Sequence, residues 1–117
     1  MITKKNLPPK KGTVDQLVTI ERDVQKVLEG KKQATRRNGR YADVGEIMTL
    51  KRQSFKIHKV YQQELGDMTD HDAMLEGYAS LDDYIKAILD IHPGMRWVPK
   101  MKVWVHEYKA VNNKDSE

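Results

Sequence analysis

Apolar and polar positions along this chain repeat with two periods, and the changes of period mark its elements. Residues 16–20 carry the β-branched Val18 and Ile20 and predict a first strand. In 21–29, Val24, Val27 and Leu28 share one helical face, and Gly30 stands where a helix ends. Residues 33–37 read as a short strand that Asn38-Gly39 turns out of. Strands are expected at 46–52 and 54–64. In the second, Phe55, Ile57, Lys59 and Tyr61 alternate with Lys56, His58 and Val60, as in a half-buried strand. Thr69 is an N-cap for a short helix through Ala73, Met74 and Leu75, closed by Gly77. Ser80-Leu81-Asp82-Asp83 resembles a capping box with Asp in place of Glu. The helix it opens sets Leu81, Tyr84, Ile85, Ile88 and Leu89 at helical spacing until Pro93-Gly94. Met101, Val103 and Val105 alternate with polar and aromatic neighbours in a last strand.

This order, with long non-local connections, suits an α+β fold and not a helical bundle. A small, partly open β-barrel with flanking helices would bury Val24, Leu28, Ile57, Ile85, Leu89, Val103 and Val105. A chain of 117 residues is one domain. Residues 1–12 read as a loose basic tail, 13–111 as the domain and 112–117 as a polar tail. No run of about 18 apolar residues exists to span a membrane, and the first residues lack the apolar segment of a signal peptide. With no cysteine there is no disulfide framework or thiolate chemistry. A soluble, cytoplasmic, monomeric protein without a membrane partner is the expectation.

Net charge, +4 overall, divides unevenly: residues 1–60 hold 15 Lys/Arg against 6 Asp/Glu, and the remainder 6 against 11. A basic block favours a polyanion or a phosphorylated ligand. Ordinary surface lysine explains it as well, because halves of a sequence need not be faces of a fold.

The chemistry concentrates in Gly30-Lys31-Lys32-Gln33-Ala34-Thr35-Arg36-Arg37 and in Glu76-Gly77. An amine and a hydroxyl three residues apart, beside two guanidiniums, can hold a phosphate or a base or attack a polarised carbonyl. On a regular strand Lys32 and Thr35 would diverge. They converge only if 30–33 is a turn, for which Gly30 has the freedom. Thr35 and Arg37 then share one face, Ala34 and Arg36 the other. A threonine hydroxyl needs a base to become a nucleophile. A neutral lysine can serve if burial or neighbouring cations lower its free pKa of ~10.4. A carboxylate at a helix C-terminus, as Glu76 would be, is electrostatically unfavourable without a reason.

The same residues resemble the ASCH family, single domains on the PUA-like β-barrel. Its signature, Gly-x-Lys-x-x-Thr-x-Arg, is matched by Gly30, Lys32, Thr35 and Arg37, and its Glu-Gly pair before a helix by Glu76 and Gly77. The resemblance spans roughly 17–108. It implies an amidohydrolase that removes the acyl group from N-acylated cytosine nucleosides, with Lys32 as base, Thr35 as nucleophile and Glu76 as proton shuttle. No cofactor or metal is implied. Arg36, Arg37, Arg40 and Tyr78 are then the substrate-binding candidates. Arg36 stands where small hydrolases of the family can carry an apolar residue, which favours phosphate over a neutral nucleoside. The signature is shared by members thought to bind RNA and by others that look like ribonucleases. An RNA-binding module, placing Arg36, Arg37, Arg40, Lys51 and Lys56 on phosphates and Tyr78 on a base, is therefore the alternative. Charge confined to a pocket favours the enzyme; a stripe running outward favours RNA.

The remaining candidates are weaker. His58, His71, His92 and His106 lack metal-ligand spacing, and the Asp67, Asp70, His71, Asp72 cluster suits helix-start chemistry better than a metal. Trp97, in the irregular segment 93–99, is expected to flank the pocket, and Trp104 to pack in the core.

Overall fold

The computed structural model describes residues 7–111. Four antiparallel strands form one curled sheet, a half-barrel, in the order β1-β4-β3-β2: β1 Ala34–Arg37, β2 Ile47–Leu50, β3 Gln53–Glu64 and β4 Lys102–Ala110. Three helices flank it: α1 Glu21–Leu28, α2 Asp70–Leu75 and α3 Leu81–Ile91. The fold is α+β, as the order of elements predicts. Among the described residues no helix is long and apolar enough to cross a membrane.

Helix starts follow their caps. Thr69 accepts from Asp72 N, and Asp72 Oδ2 accepts in turn from Thr69 N at 3.0 Å, so Asp closes the box that Glu usually closes. Ser80 accepts from Asp83 N to open α3. The expected strand at 16–20 does not form. Leu17 and Val18 are both buried while Thr19 and Ile20 are exposed. A strand sends consecutive side chains to opposite faces, so this stretch packs as a loop after a 3-10 turn at Val14–Gln16.

The 46–52 strand is also shorter than its pattern suggests. Lys51 and Arg52 turn the chain at φ +46° and +71°, closing a two-residue hairpin between Leu50 and Gln53. In β3 the register against β4 slips between Ile57 and Lys59. Phe55 and Ile57 face the core before the slip, and after it Val60 packs there in place of Lys59.

Two apolar clusters form. One joins Leu17, Val24, Val27, Met48, Ile57 and Tyr108 inside the curl; the other joins Leu65, Met68, Ala73, Tyr84 and Val103 beneath α2 and α3. Of the expected core, Val24, Ile57, Val103 and Val105 are buried, whereas Leu28, Ile85, Leu89 and Trp104 are half-buried.

Candidate functional site

Helix α1 ends by wrapping back on itself. Gly30 takes φ +78°, and Lys31 N and Lys32 N both donate to Lys26 O, at 2.9 and 3.1 Å. Gln33 N then donates to Leu75 O at 2.6 Å, which docks this turn against the end of α2. Two helix ends separated by more than forty residues therefore meet, and they bring Lys32 against Glu76. Lys32 Nζ donates to Glu76 Oε1 at 2.7 Å and to Glu76 O at 3.2 Å. Lys26 Nζ donates to Gly77 O at 3.2 Å. Carbonyls at the α2 terminus thus receive two ammonium groups, which offsets the misplaced charge of Glu76.

Glu76 is held from its other side as well. Arg36 Nη1 donates to Oε2 at 2.9 Å, and the same guanidinium gives two bonds to Gln63 Oε1, at 3.1 and 2.7 Å. Gln63 in turn donates to Asp72. Arg36 is therefore turned inward onto three side chains of its own domain. Nothing in the sequence marks Gln63 and Asp72 as partners of Arg36, since β3 and α2 bring them there. Asp72 also serves the α2 cap; with Asp70, which accepts from Leu81 N, it answers helix chemistry. Among the described residues no three His, Asp or Glu side chains gather as metal ligands.

Thr35 stands on the other face of β1. It pairs with His106 and Arg36 pairs with Val105, so the two side chains leave the strand in opposite directions. Thr35 Oγ1 lies 2.9 Å from the Tyr108 hydroxyl, a partner the motif does not include. Burial pushes the Tyr108 pKa up, so the phenol keeps its proton. His106, fully buried, braces this strand: its Nε2 accepts from Tyr41 N at 3.0 Å, and Nδ1 faces Thr35 O at 3.3 Å. Arg37 stacks over Tyr41 at 4.5 Å, and its Nε has no hydrogen-bond partner among the described residues.

Because β1 is the sheet edge, a cavity beside it is lined from both faces. Lys32, Thr35, Arg36, Arg37, Glu76 and Tyr78 all border this space of about 150 Å³. The Tyr78 ring is already engaged: Lys26 Nζ sits 4.0 Å from its centroid and Tyr84 meets it edge-on. Arg40 is not brought to the cavity. Its guanidinium is tied to Asp43 and to Pro8 O, on a different part of the surface. Lys51 pairs with Glu21, again away from the cavity.

The sequence matches no family model and no curated protein. Its fold does have solved counterparts. An ASCH domain from Lactobacillus crispatus JV V101 superposes with a TM-score of 0.65 at 16% identity, covering 85% of this chain and 79% of that one. A DUF984-family protein from Enterococcus faecalis V583 superposes with a TM-score of 0.56 at 17% identity, over 92% and 79% of the two chains. The curled sheet, the helix order and these superpositions agree, and the chain has the fold of an ASCH domain.

Proposed function

We propose that this protein is an amidohydrolase acting on N-acylated cytosine nucleosides of the acetylcytidine type. The observation that carries the reading is the convergence of Lys32, Thr35 and Glu76 on one cavity from three places in the sequence. A nucleophile, a base and a proton-transfer group at one concave site is the minimum an acyl transfer requires.

In this mechanism Lys32 passes a proton to Glu76 Oε1 and, as the free amine, takes the proton of Thr35 Oγ as that oxygen attacks the acyl carbonyl. The carbon–nitrogen bond then breaks, and the departing cytosine amine receives the Glu76 proton. Water attacks the resulting threonine ester, giving one proton to Glu76, while Lys32 returns its own to Thr35. Acid and base are thereby restored. Thr35 must exchange its bond to Tyr108 for one towards Lys32 in this mechanism.

The distribution of charge supports the enzyme over the RNA-binding alternative. Arg36, Arg40 and Lys51 each meet a carboxylate of their own chain, and Arg37 lies against Tyr41. These are four of the five cations a phosphate-reading surface would use, and each is already engaged within the domain. The test is to incubate the purified protein with N4-acetylcytidine and separately to measure its affinity for single-stranded RNA across a salt series. Release of cytidine supports the hydrolase. RNA binding with a steep salt slope and no cytidine would transfer the assignment to the RNA module.

A further inference from the structure

Next to the catalytic candidates lies a second, larger space of about 520 Å³ that the proposed chemistry does not use. It opens between α3, the start of β4 and the segment that carries Trp97. Arg36, Arg37, Tyr84, Ile88 and His92 border both spaces, so the two lie side by side. Their characters differ. Lys32, Thr35 and Glu76 line only the smaller, beside Val18, Ile20 and Ile91, while Leu65, Met95, Trp97, Met101 and Val103 line only the larger. Met101 stays 39% exposed, and Trp97 is half-buried against Tyr84, with ring centroids 6.3 Å apart. A more apolar groove beside a polar reaction centre fits a substrate with the same division.

On the reading that Thr35 attacks an acylated cytosine nucleoside, we infer that the groove beside it receives the acyl group, so that the preferred substrates carry an apolar acyl chain longer than acetyl. Acetyl has one methyl beyond the carbonyl and leaves the groove to water. A chain of four to six carbons would extend past Ile88 towards Met95 and Trp97. Burial of each methylene strengthens binding about fourfold, and where the chain is held in the transition state the gain enters kcat/KM. The nucleoside side of the amide is left to the smaller cavity.

The experiment compares acetyl-, butanoyl- and hexanoyl-cytidine as substrates. Hexylcytidine, an amine without a scissile amide, is titrated against Trp97 fluorescence with Trp97→Phe as the blank. The expected result is a kcat/KM that rises at least tenfold from acetyl to hexanoyl. The hexanoyl-to-acetyl ratio should fall severalfold in Met95→Ser and in Met101→Ser, two changes on partly exposed side chains that the fold tolerates better than loss of Trp97. Equal or falling rates along the series, with no fluorescence response, would overturn the inference while leaving the amidohydrolase standing. If none of the three amides is cleaved but hexylcytidine still binds at Trp97, the groove stands and the reaction falls. If there is neither turnover nor binding, both fall.

Discussion

Lys32 Nζ and Glu76 Oε1 lie 2.7 Å apart across 44 positions of sequence, with their side chains only 5% and 4% exposed. A charge pair this deep is expensive to desolvate, and removing one partner strands the other. The two partners are not equivalent. Glu76 keeps Arg36 when Lys32 is lost, whereas among the described residues Lys32 retains only the Glu76 carbonyl when the carboxylate is lost.

That asymmetry predicts unequal losses of stability. Glu76→Ala should cost about 3–5 kcal/mol, the range for a broken buried pair. Lys32→Met should cost about 1–3 kcal/mol, the penalty for a buried acceptor left partly unsatisfied. Urea unfolding of both variants measures the difference. Equal losses would mean that Arg36 does not share the carboxylate as its 2.9 Å contact implies.

Two glycines with positive φ allow a similar comparison. Gly30, at φ +78°, has nothing within 4 Å of the position a Cβ would take, so Gly30→Ala meets only the left-handed backbone cost of about 1–2 kcal/mol. Gly77, at φ +94°, would also press a methyl group to 3.1 Å from Lys26 Cδ and 3.4 Å from Lys31 O. Gly77→Ala should therefore lose more stability than Gly30→Ala in thermal melts, and it should impair the site beside it, since the new methyl also approaches Lys32.

Much of the scaffold was legible in the chain because its boundaries are made by local chemistry. Thr69, Ser80, Gly30 and Gly77 each cap a helix by a contact within a few residues, and such contacts leave a pattern. The Lys32–Thr35–Glu76 grouping was legible through its motif. Features that depend on long-range register were not. The hairpin turn uses Lys51 and Arg52 at left-handed φ where Asn-Gly would have announced it, and the slip near His58 reverses the sides of β3. Arg36 read as a phosphate ligand from its charge alone. Its inward turn depends on Gln63 and Asp72, which β3 and α2 deliver from elsewhere.

His106 gives the fold a pH dependence of known sign. Burial lowers its pKa below the ordinary value, a larger effect than the raising influence of its contact with Thr35 O. The folded state holds the ring neutral, and the unfolded chain takes up a proton below its pKa of ~6.5. The contribution is fully present above that pH and is lost as pH falls from there through the depressed folded value, by up to ~1.4 kcal/mol per pH unit. Urea midpoints between pH 8 and pH 5 should drop, and His106→Gln should flatten that slope. A slope unchanged in His106→Gln would assign the pH effect to other groups.

Attack by Thr35 on the substrate, with Lys32 and Glu76 moving the protons, can be tested by the rate of cytidine release from N4-acetylcytidine. Thr35→Ala is set beside the parent and beside Arg40→Ala, which lies outside the cavity. Circular dichroism confirms that each variant is folded. The mechanism predicts release by the parent and a nearly parental rate for Arg40→Ala. For Thr35→Ala it predicts a loss of at least about a hundredfold in kcat, the scale on which proton-transfer and nucleophilic groups act. A Thr35→Ala protein that releases cytidine at the parental rate, or a parent that releases none, would contradict it.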